Sequence, residues 1–315
     1  MPAPRTRVQR RPVHGVLLLD KPLGLSSNQA LQKAKWLLRA EKAGHTGTLD
    51  PLATGVLPLC FGAATKFSQL QLDADKTYEA IARLGVKTAT GDAEGAVIAE
   101  RPVALAAGDL ARVQAQFTGA LRQLPPMHSA LKKDGKALYE YARQGIEVER
   151  QARDVVVHEL RLEALSATEI RIRAGVSKGT YIRTLAEDIG EALGCGAHLR
   201  ALRRVATGGF DVAQCLTLEA LEAMDEDERL ARLLPAQALV ADHTRVTLAA
   251  EDAGRFLSGL RRRGPWADAP AVAVFGSAPE AFLGTAHVQG GELIPGRLLS
   301  PIEIQQTLLL TEATP

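Results

Sequence analysis

The chain has 315 residues, 46% of them hydrophobic and 23% charged, with a formal net charge of +2. That length exceeds the usual single domain, so a large domain with a smaller companion is expected, and the composition is that of an ordinary soluble globular protein. The charge is too small to mark a nucleic-acid binder by itself. No apolar run approaches a membrane span, and the three scattered cysteines, with no C-x-x-C pair, argue against a zinc ribbon or a disulfide framework. The run Val16 to Leu19, closed by Asp20, is too short for a signal peptide, so a reducing cytoplasm is the expected setting.

Residues 1–12 carry Arg5, Arg7, Arg10 and Arg11 and read as a basic disordered arm. His14 to Leu19 reads as a buried strand ending at Asp20-Lys21-Pro22. Ser26 or Ser27 then caps a helix that places Ala30, Leu31, Ala34, Leu37 and Leu38 at helical spacing. Gly44 to Gly55 is a Gly/Thr-rich loop leading into an apolar strand, Val56 to Phe61. From Thr77 to Leu84 the pattern alternates, with Tyr78, Ala80, Ala82 and Leu84 on one face and Glu79, Ile81 and Arg83 on the other. Pro125 to Gly145 is a polar, Lys-rich excursion holding Tyr139 and Tyr141. Strands are expected at Val155 to Leu165, Glu169 to Val176 and Ala206 to Val212, with a helix over Gly179 to Leu193. Beyond a boundary near residues 240–247, one short helix (Ala249 to Leu260) is followed by brief strands divided by Gly and Pro. This irregular order of elements indicates an α+β fold with a mixed, largely antiparallel sheet flanked by helices and a small β-rich C-terminal domain.

No phosphate-binding G-x-x-x-x-G-K-[ST] loop, G-x-S-x-G elbow, H-E-x-x-H pair or strand-linked G-x-G-x-x-G occurs, and the seven histidines show no metal-ligand spacing. Chemistry is therefore expected from carboxylate, Arg and Tyr groups, with no metal and no cofactor. One stretch stands out: Gly44-His45-Thr46-Gly47-Thr48-Leu49-Asp50-Pro51-Leu52-Ala53-Thr54-Gly55-Val56-Leu57. Its glycines let backbone approach a ligand, and Pro51 biases Asp50 toward an extended conformation that projects its carboxylate. Taken alone, these residues suit a catalytic acid and a plain Asx-Pro turn about equally.

The stretch resembles the motif of the TruB-type pseudouridine synthases, G-H-x-G-T-L-D-P-x-A-x-G-V-L. Further segments match in the same order: Leu19-Asp20-Lys21-Pro22 with Ser26-Ser27, Lys76-Thr77-Tyr78, and Leu84-Gly85 with Thr88, Thr90, Asp92 and Gly95. Pro125-Pro126 to Arg143 resembles the family's RNA-gripping insertion, and Ser177-Lys178-Gly179-Thr180-Tyr181-Ile182-Arg183 and Leu202-Arg203-Arg204 complete the series. The resemblance runs from about residue 14 to 220, and residues 246–315 are similar, more weakly, to a PUA-type RNA-binding domain. His128 departs from the pattern, standing where the family more often has Tyr or Phe.

The resemblance implies a catalytic domain over 13–245, with the insertion at about 125–152 and a PUA-like domain over 246–315. It implies isomerisation of a uridine in the T loop of tRNA, at position 55, by a monomer that flips the target base out of its stack. Asp50 is then the catalytic carboxylate and Tyr78 stacks on the flipped base. His45 fills the vacated space, and Leu202 closes the apolar side of the pocket. Arg183 is expected to hold Asp50 through its planar guanidinium, with Asp92 tethering it from behind. The competing reading of Arg183 is a surface pair with Glu187, one helical turn on. Lys21 is either structural or phosphate-facing. Lys132, Lys133 and Lys136 are expected to grip RNA phosphates. A chain ending near residue 245 is expected still to fold and to modify RNA. The alternatives are a tRNA-binding protein of the same fold without catalysis, and a nucleotide hydrolase, which the missing phosphate loop opposes.

Overall fold

The computed structural model describes residues 9–312, so Arg5 and Arg7 lie outside the described residues. Arg10 and Arg11 are docked, and the expectation of a disordered arm fails at these two residues. The Arg10 guanidinium donates to the Ala40 carbonyl at 2.9 Å. The Arg11 backbone bonds to Arg39 and Glu41, and its side chain meets Glu226 at 2.7 Å.

Among the described residues the larger sheet has ten strands. Its main path runs Leu216–Thr217, Gly15–Lys21, Ala53–Phe61, Ala197–Thr207, Lys76–Leu84, Glu169–Val176, Arg153–Ser166 and Gly119–Gln123. Gly15–Lys21 lies parallel to Leu216–Thr217, and Ala53–Phe61 parallel to Ala197–Thr207. The remaining pairs along this path are antiparallel. The expected mixed, largely antiparallel sheet is thus present.

The alternation over Lys76–Leu84 is strict, with Lys76, Tyr78, Ala80, Ala82 and Leu84 all buried. That face packs against the helix Ile182–Ala192, in a core that also takes in the helix Ser27–Leu37. Ser26 starts the first helix with a capping box: its hydroxyl accepts from the Gln29 amide, and the Gln29 side chain accepts from the Ser26 N–H at 2.8 Å.

The eleven-residue strand Ala197–Thr207 is longer than the expected strand, which began only at Ala206. Two register shifts, at Leu199/Ala201 and Arg204/Ala206, break its period of two, and its three arginines mask what remains of the apolar pattern.

A five-stranded sheet follows, in the order Thr244–Leu248, Ala269–Ser277, Glu280–Gln289, Glu292–Leu298, Arg262–Arg263. Three of these strands run seven to ten residues, longer than expected. The helix Pro301–Glu312 was also unforeseen. This sheet has a core around Phe256 and shares a second one with the larger sheet. In the shared core Phe67 stacks obliquely on Phe282 with centroids 5.1 Å apart, and Val16, Leu18 and Cys60 meet Phe275 and Leu299. Polar ties reinforce the seam: Lys66 pairs with Glu303 at 2.6 Å, and the His14 ring bonds to Gln306 at 2.9 Å. Among the described residues no helix is long and apolar enough to cross a membrane.

Candidate active site

Asp50 stands at the end of a loop that three separate elements pin. From the first helix, buried Ser27 accepts the Leu49 N–H at 2.7 Å and donates to the Leu49 carbonyl at 3.1 Å, fixing the residue before Asp50. From the turn after the first strand, the Gly24 N–H donates to the Pro51 carbonyl at 2.9 Å, fixing the residue after it. From the strand Ala197–Thr207, Arg204 is 1% exposed and donates to the Val56 carbonyl at 2.7 Å and the Gly47 carbonyl at 3.1 Å. The approach of Arg204 depends on Gly55, whose backbone has φ +101°. A Cβ there would lie 2.1 Å from the Arg204 carbonyl oxygen.

The carboxylate of Asp50 meets the Arg183 guanidinium at 2.8 Å. Arg183 is in the first turn of the helix Ile182–Ala192, and only 6% of its side chain is exposed, whereas Asp50 keeps 42% of its side chain open. Arg183 also donates to the main-chain carbonyls of Thr90 at 3.1 Å and His128 at 2.6 Å, and lies 3.7 Å from buried Asp92. Asp92 is itself held by the Thr90 hydroxyl at 2.5 Å and the Glu94 N–H at 3.1 Å. The competing surface pair with Glu187 is not formed, because the guanidinium is turned inward to Asp50 and Asp92. His128 meets Arg183 through its main chain, so its departure from the family pattern leaves this link intact.

Burial raises the pKa of Asp50 above the ordinary carboxylate value. The charge of Arg183 pulls it back, that of Asp92 pushes it up, and the Arg183 hydrogen bond and Lys21 lower it again. His45, at the end of the short strand Ala43–His45, is shifted below the ordinary histidine value by burial first and by Arg204 second. Its Nδ1 is buried and meets no hydrogen-bond partner among the described residues.

Tyr78, Leu202 and Arg204 share one face. Leu202 lies opposite Ala80 and Arg204 opposite Tyr78, and Leu202 is also level with Ala53, three residues beyond Asp50. Tyr78 belongs to the core, and Leu202 is half-buried against it. The structure therefore joins Asp50, Arg183 and Asp92 in one ion-pair network, with Tyr78 and Leu202 on the neighbouring strands and His45 at the start of the loop that carries Asp50.

Of the two readings of Lys21, the phosphate-facing one is corrected. Lys21 is fully buried, and its ammonium donates to the carbonyls of Pro22 at 2.8 Å and Leu25 at 2.5 Å, so it serves the structure and faces no phosphate. Burial lowers its pKa to about 8, with Asp50 opposing the shift. In the insertion, Lys132 is open to solvent, while Lys136 lies 4.7 Å over the Tyr141 ring and Lys133 reaches the Glu149 carbonyl at 3.4 Å. Sequence reasoning also passed over the clamping roles of Ser27 and Arg204, although both fall inside matched segments. Their role lies in contacts to backbone atoms 22 and 148 residues away, which no local pattern displays.

Two family models match the chain: TruB family pseudouridylate synthase (N terminal domain) over residues 35–182, and tRNA pseudouridylate synthase B C-terminal domain over residues 183–241. A relative named tRNA pseudouridine synthase B from Verminephrobacter eiseniae is 69% identical over 314 residues, covering 98% of this chain and 95% of the relative. Another of that name, from Ralstonia nicotianae, is 56% identical over 307 residues, covering 95% and 98%. Among solved structures, a Cbf5-Nop10-Gar1 complex aligns with TM-score 0.70 at 24% identity over 96% of this chain and 92% of that one. An H/ACA RNP bound to a substrate RNA containing 2'-deoxyuridine gives 0.68 at 23% identity over 91% and 86%. At these identities the structural likeness speaks for the fold alone. Sequence and fold agree, and the chain belongs to the TruB family of pseudouridylate synthases, which are isomerases.

Proposed function

We propose that this isomerase converts a uridine of the tRNA T loop, at position 55, into pseudouridine, with Asp50 as the catalytic carboxylate. The observation that carries the reading is the Asp50–Arg183 pair at 2.8 Å, a half-open acid held by a buried cation. The names of the relatives support tRNA as the substrate.

The target base must leave its stack, at a cost of roughly a few kcal/mol. His45, held neutral by its surroundings, fills the space it leaves. The base enters beside Tyr78, which stacks on it, while Leu202 closes the apolar side. Arg183 keeps Asp50 ionised and aimed, as the chemistry needs whether the carboxylate attacks sugar or base or removes a 2′ proton. The glycosidic N1–C1′ bond breaks, the base turns, and a C5–C1′ bond forms. The proton on C5 then leaves and one is gained at N1, so nothing is oxidised or consumed. The insertion and a PUA-like C-terminal domain hold the RNA backbone, and the protein acts as a cytoplasmic monomer without metal or cofactor.

The test is incubation with unmodified tRNA transcript followed by mapping of pseudouridine. Wild type should modify position 55 and Asp50→Asn nothing. Product elsewhere overturns the T-loop assignment. Product from the Asn variant overturns the role of Asp50, and binding without product favours the non-catalytic alternative.

A further inference from the structure

The helix Ile182–Ala192, whose second residue is Arg183, begins without a cap of its own. Tyr181 stands at its N-cap, and the Tyr181 side chain makes no capping bond. The chain leading into it is only loosely held. Ser177 is tied to Val156, whose carbonyl accepts its N–H at 2.8 Å and whose N–H its hydroxyl accepts at 2.8 Å. After it come an exposed lysine, Lys178, and Gly179 at φ +79°, a residue that lends the backbone freedom. Buried Ile182, Leu185 and Ile189 decide which face of the helix turns inward. Apolar packing is non-directional, however, and does not by itself fix where the first turn stands along the helix axis.

A side chain from another strand fixes that end. Gln123, the last residue of the strand Gly119–Gln123, is 3% exposed. Its side-chain oxygen accepts the Tyr181 N–H at 3.0 Å, and its amide donates to the Tyr181 carbonyl at 3.3 Å. The same carbonyl accepts the Leu185 N–H at 3.0 Å, so the clamp grips the first bond of the helix. Gln123 is itself seated in the sheet, opposite Arg153. The arrangement repeats the one on the other side of the ion pair, where Ser27 holds both backbone groups of Leu49. Leu49 precedes Asp50 by one residue, and Tyr181 precedes Arg183 by two. Each half of the 2.8 Å pair is thus led by a residue whose N–H and carbonyl are gripped by one buried side chain from a distant element. Gln123 bonds to neither Asp50 nor the guanidinium, whose main-chain partners are Thr90 and His128.

We propose that Gln123 is a positioning residue for the isomerisation, holding the start of this helix so that the Arg183 guanidinium meets the Asp50 carboxylate. The inference rests on the reading of Asp50 as the catalytic carboxylate. Burial raises the pKa of Asp50, Arg183 opposes that rise, Asp92 adds to it and Lys21 lowers it. A misplaced Arg183 therefore leaves Asp50 titrating at higher pH, and a carboxylate that is poorly aimed reacts more slowly once RNA is bound.

The experiment uses the full chain with Gln123→Met, which removes both bonds at similar volume, and Gln123→Ala as a second break of the clamp. Val157→Ala, a buried change on the strand Arg153–Ser166, serves as the control for stability alone. The readouts are kcat and KM on tRNA transcript, the Asp50 carboxyl titration by NMR, and hydrogen exchange of the Tyr181 amide. Both Gln123 variants should lower kcat about tenfold with KM within about twofold of wild type. Their Tyr181 amide should exchange faster, and their Asp50 titration should move to higher pH. Val157→Ala should lower the unfolding temperature and leave kcat and the Asp50 titration in place. Added to Arg183→Lys, Gln123→Met should cost little further, because it acts through Arg183. An Asp50 titration unmoved in both Gln123 variants, or a double variant that loses the product of the two single effects, overturns the proposal. A titration that moves while kcat holds leaves Gln123 as the residue that aims Arg183, and it is then the catalytic role of Asp50 that fails.

Discussion

The hydroxyl of Ser27 closes on the backbone of Leu49 from both sides, accepting its N–H at 2.7 Å and donating to its carbonyl at 3.1 Å. Both groups sit beside the catalytic candidate Asp50 and are buried from water. Ser27→Ala leaves them unsatisfied, and stability should fall by about 1–3 kcal/mol. The loop then samples other positions, so kcat should drop more than KM rises. Denaturant unfolding together with kinetics on tRNA transcript checks this. An alanine variant as stable and as fast as wild type would show that the clamp is dispensable.

Arg183 bears on the acid limb of the pH profile. Burial has raised the pKa of Asp50, and Arg183 lowers it again by charge and by hydrogen bond. The reacting form is ionised, so activity is lost as pH falls through that pKa, and the loss sets in above the range of an ordinary carboxylate. Arg183→Lys loses the planar hold, so its limb should move to higher pH and its kcat fall at least tenfold, ~1.4 kcal/mol of barrier. An unmoved limb with near-normal kcat removes Arg183 from the network.

Arg204 is a buried cation bonded to the carbonyls of Val56 and Gly47. Arg204→Met strands both acceptors and should destabilise the protein by about 1–3 kcal/mol per group left unpaired. It also removes a charge that holds His45 below its ordinary pKa, so the His45 titration, followed by NMR, should move upward. A His45 titration that stays in place would mean that burial alone sets it.

The shared core revises the expectation that a chain ending near residue 245 folds unharmed. Removing Phe275, Phe282 and Leu299 uncovers Val16, Leu18, Cys60 and Phe67 of the larger sheet. Such a chain should be soluble only in part and unfold at a markedly lower temperature. The milder Phe282→Ala should cost about 3–5 kcal/mol with kcat intact once folded. Equal thermal unfolding of the full-length and truncated chains would contradict this.

What the sequence made legible were features written in local pattern. Tyr78, Ala80, Ala82 and Leu84 advertise their strand by alternation, and Asp50 is announced by its glycine-flanked loop before Pro51. Arg183 was recognisable through Gly179-Thr180-Tyr181-Ile182 and by resemblance, while its true partner, 133 residues earlier in the chain, was not distinguishable by spacing from Glu187. Lys21 stayed open between two roles because a lysine after an apolar strand ordinarily faces water, and only the fold shows the carbonyls of Pro22 and Leu25 turned toward it. The strand around Arg204 was hidden because register shifts erase a period of two and a buried arginine resembles a surface one in sequence.

The seam between the two sheets also bears on how the protein is made. Phe67 leaves the ribosome about two hundred residues before Phe282, which covers it. At ordinary rates of synthesis that is on the order of ten to forty seconds. Phe210, Ala236, Leu239 and Val240 arrive earlier and cover part of the face carrying Val16, Leu18 and Phe67, but the rest stays open until Phe275, Phe282 and Leu299 are made, and Lys66 and His14 wait longer still for Glu303 and Gln306. The nascent protein must therefore carry a sticky apolar surface until its last helix emerges, which makes this face the natural target for a chaperone during translation.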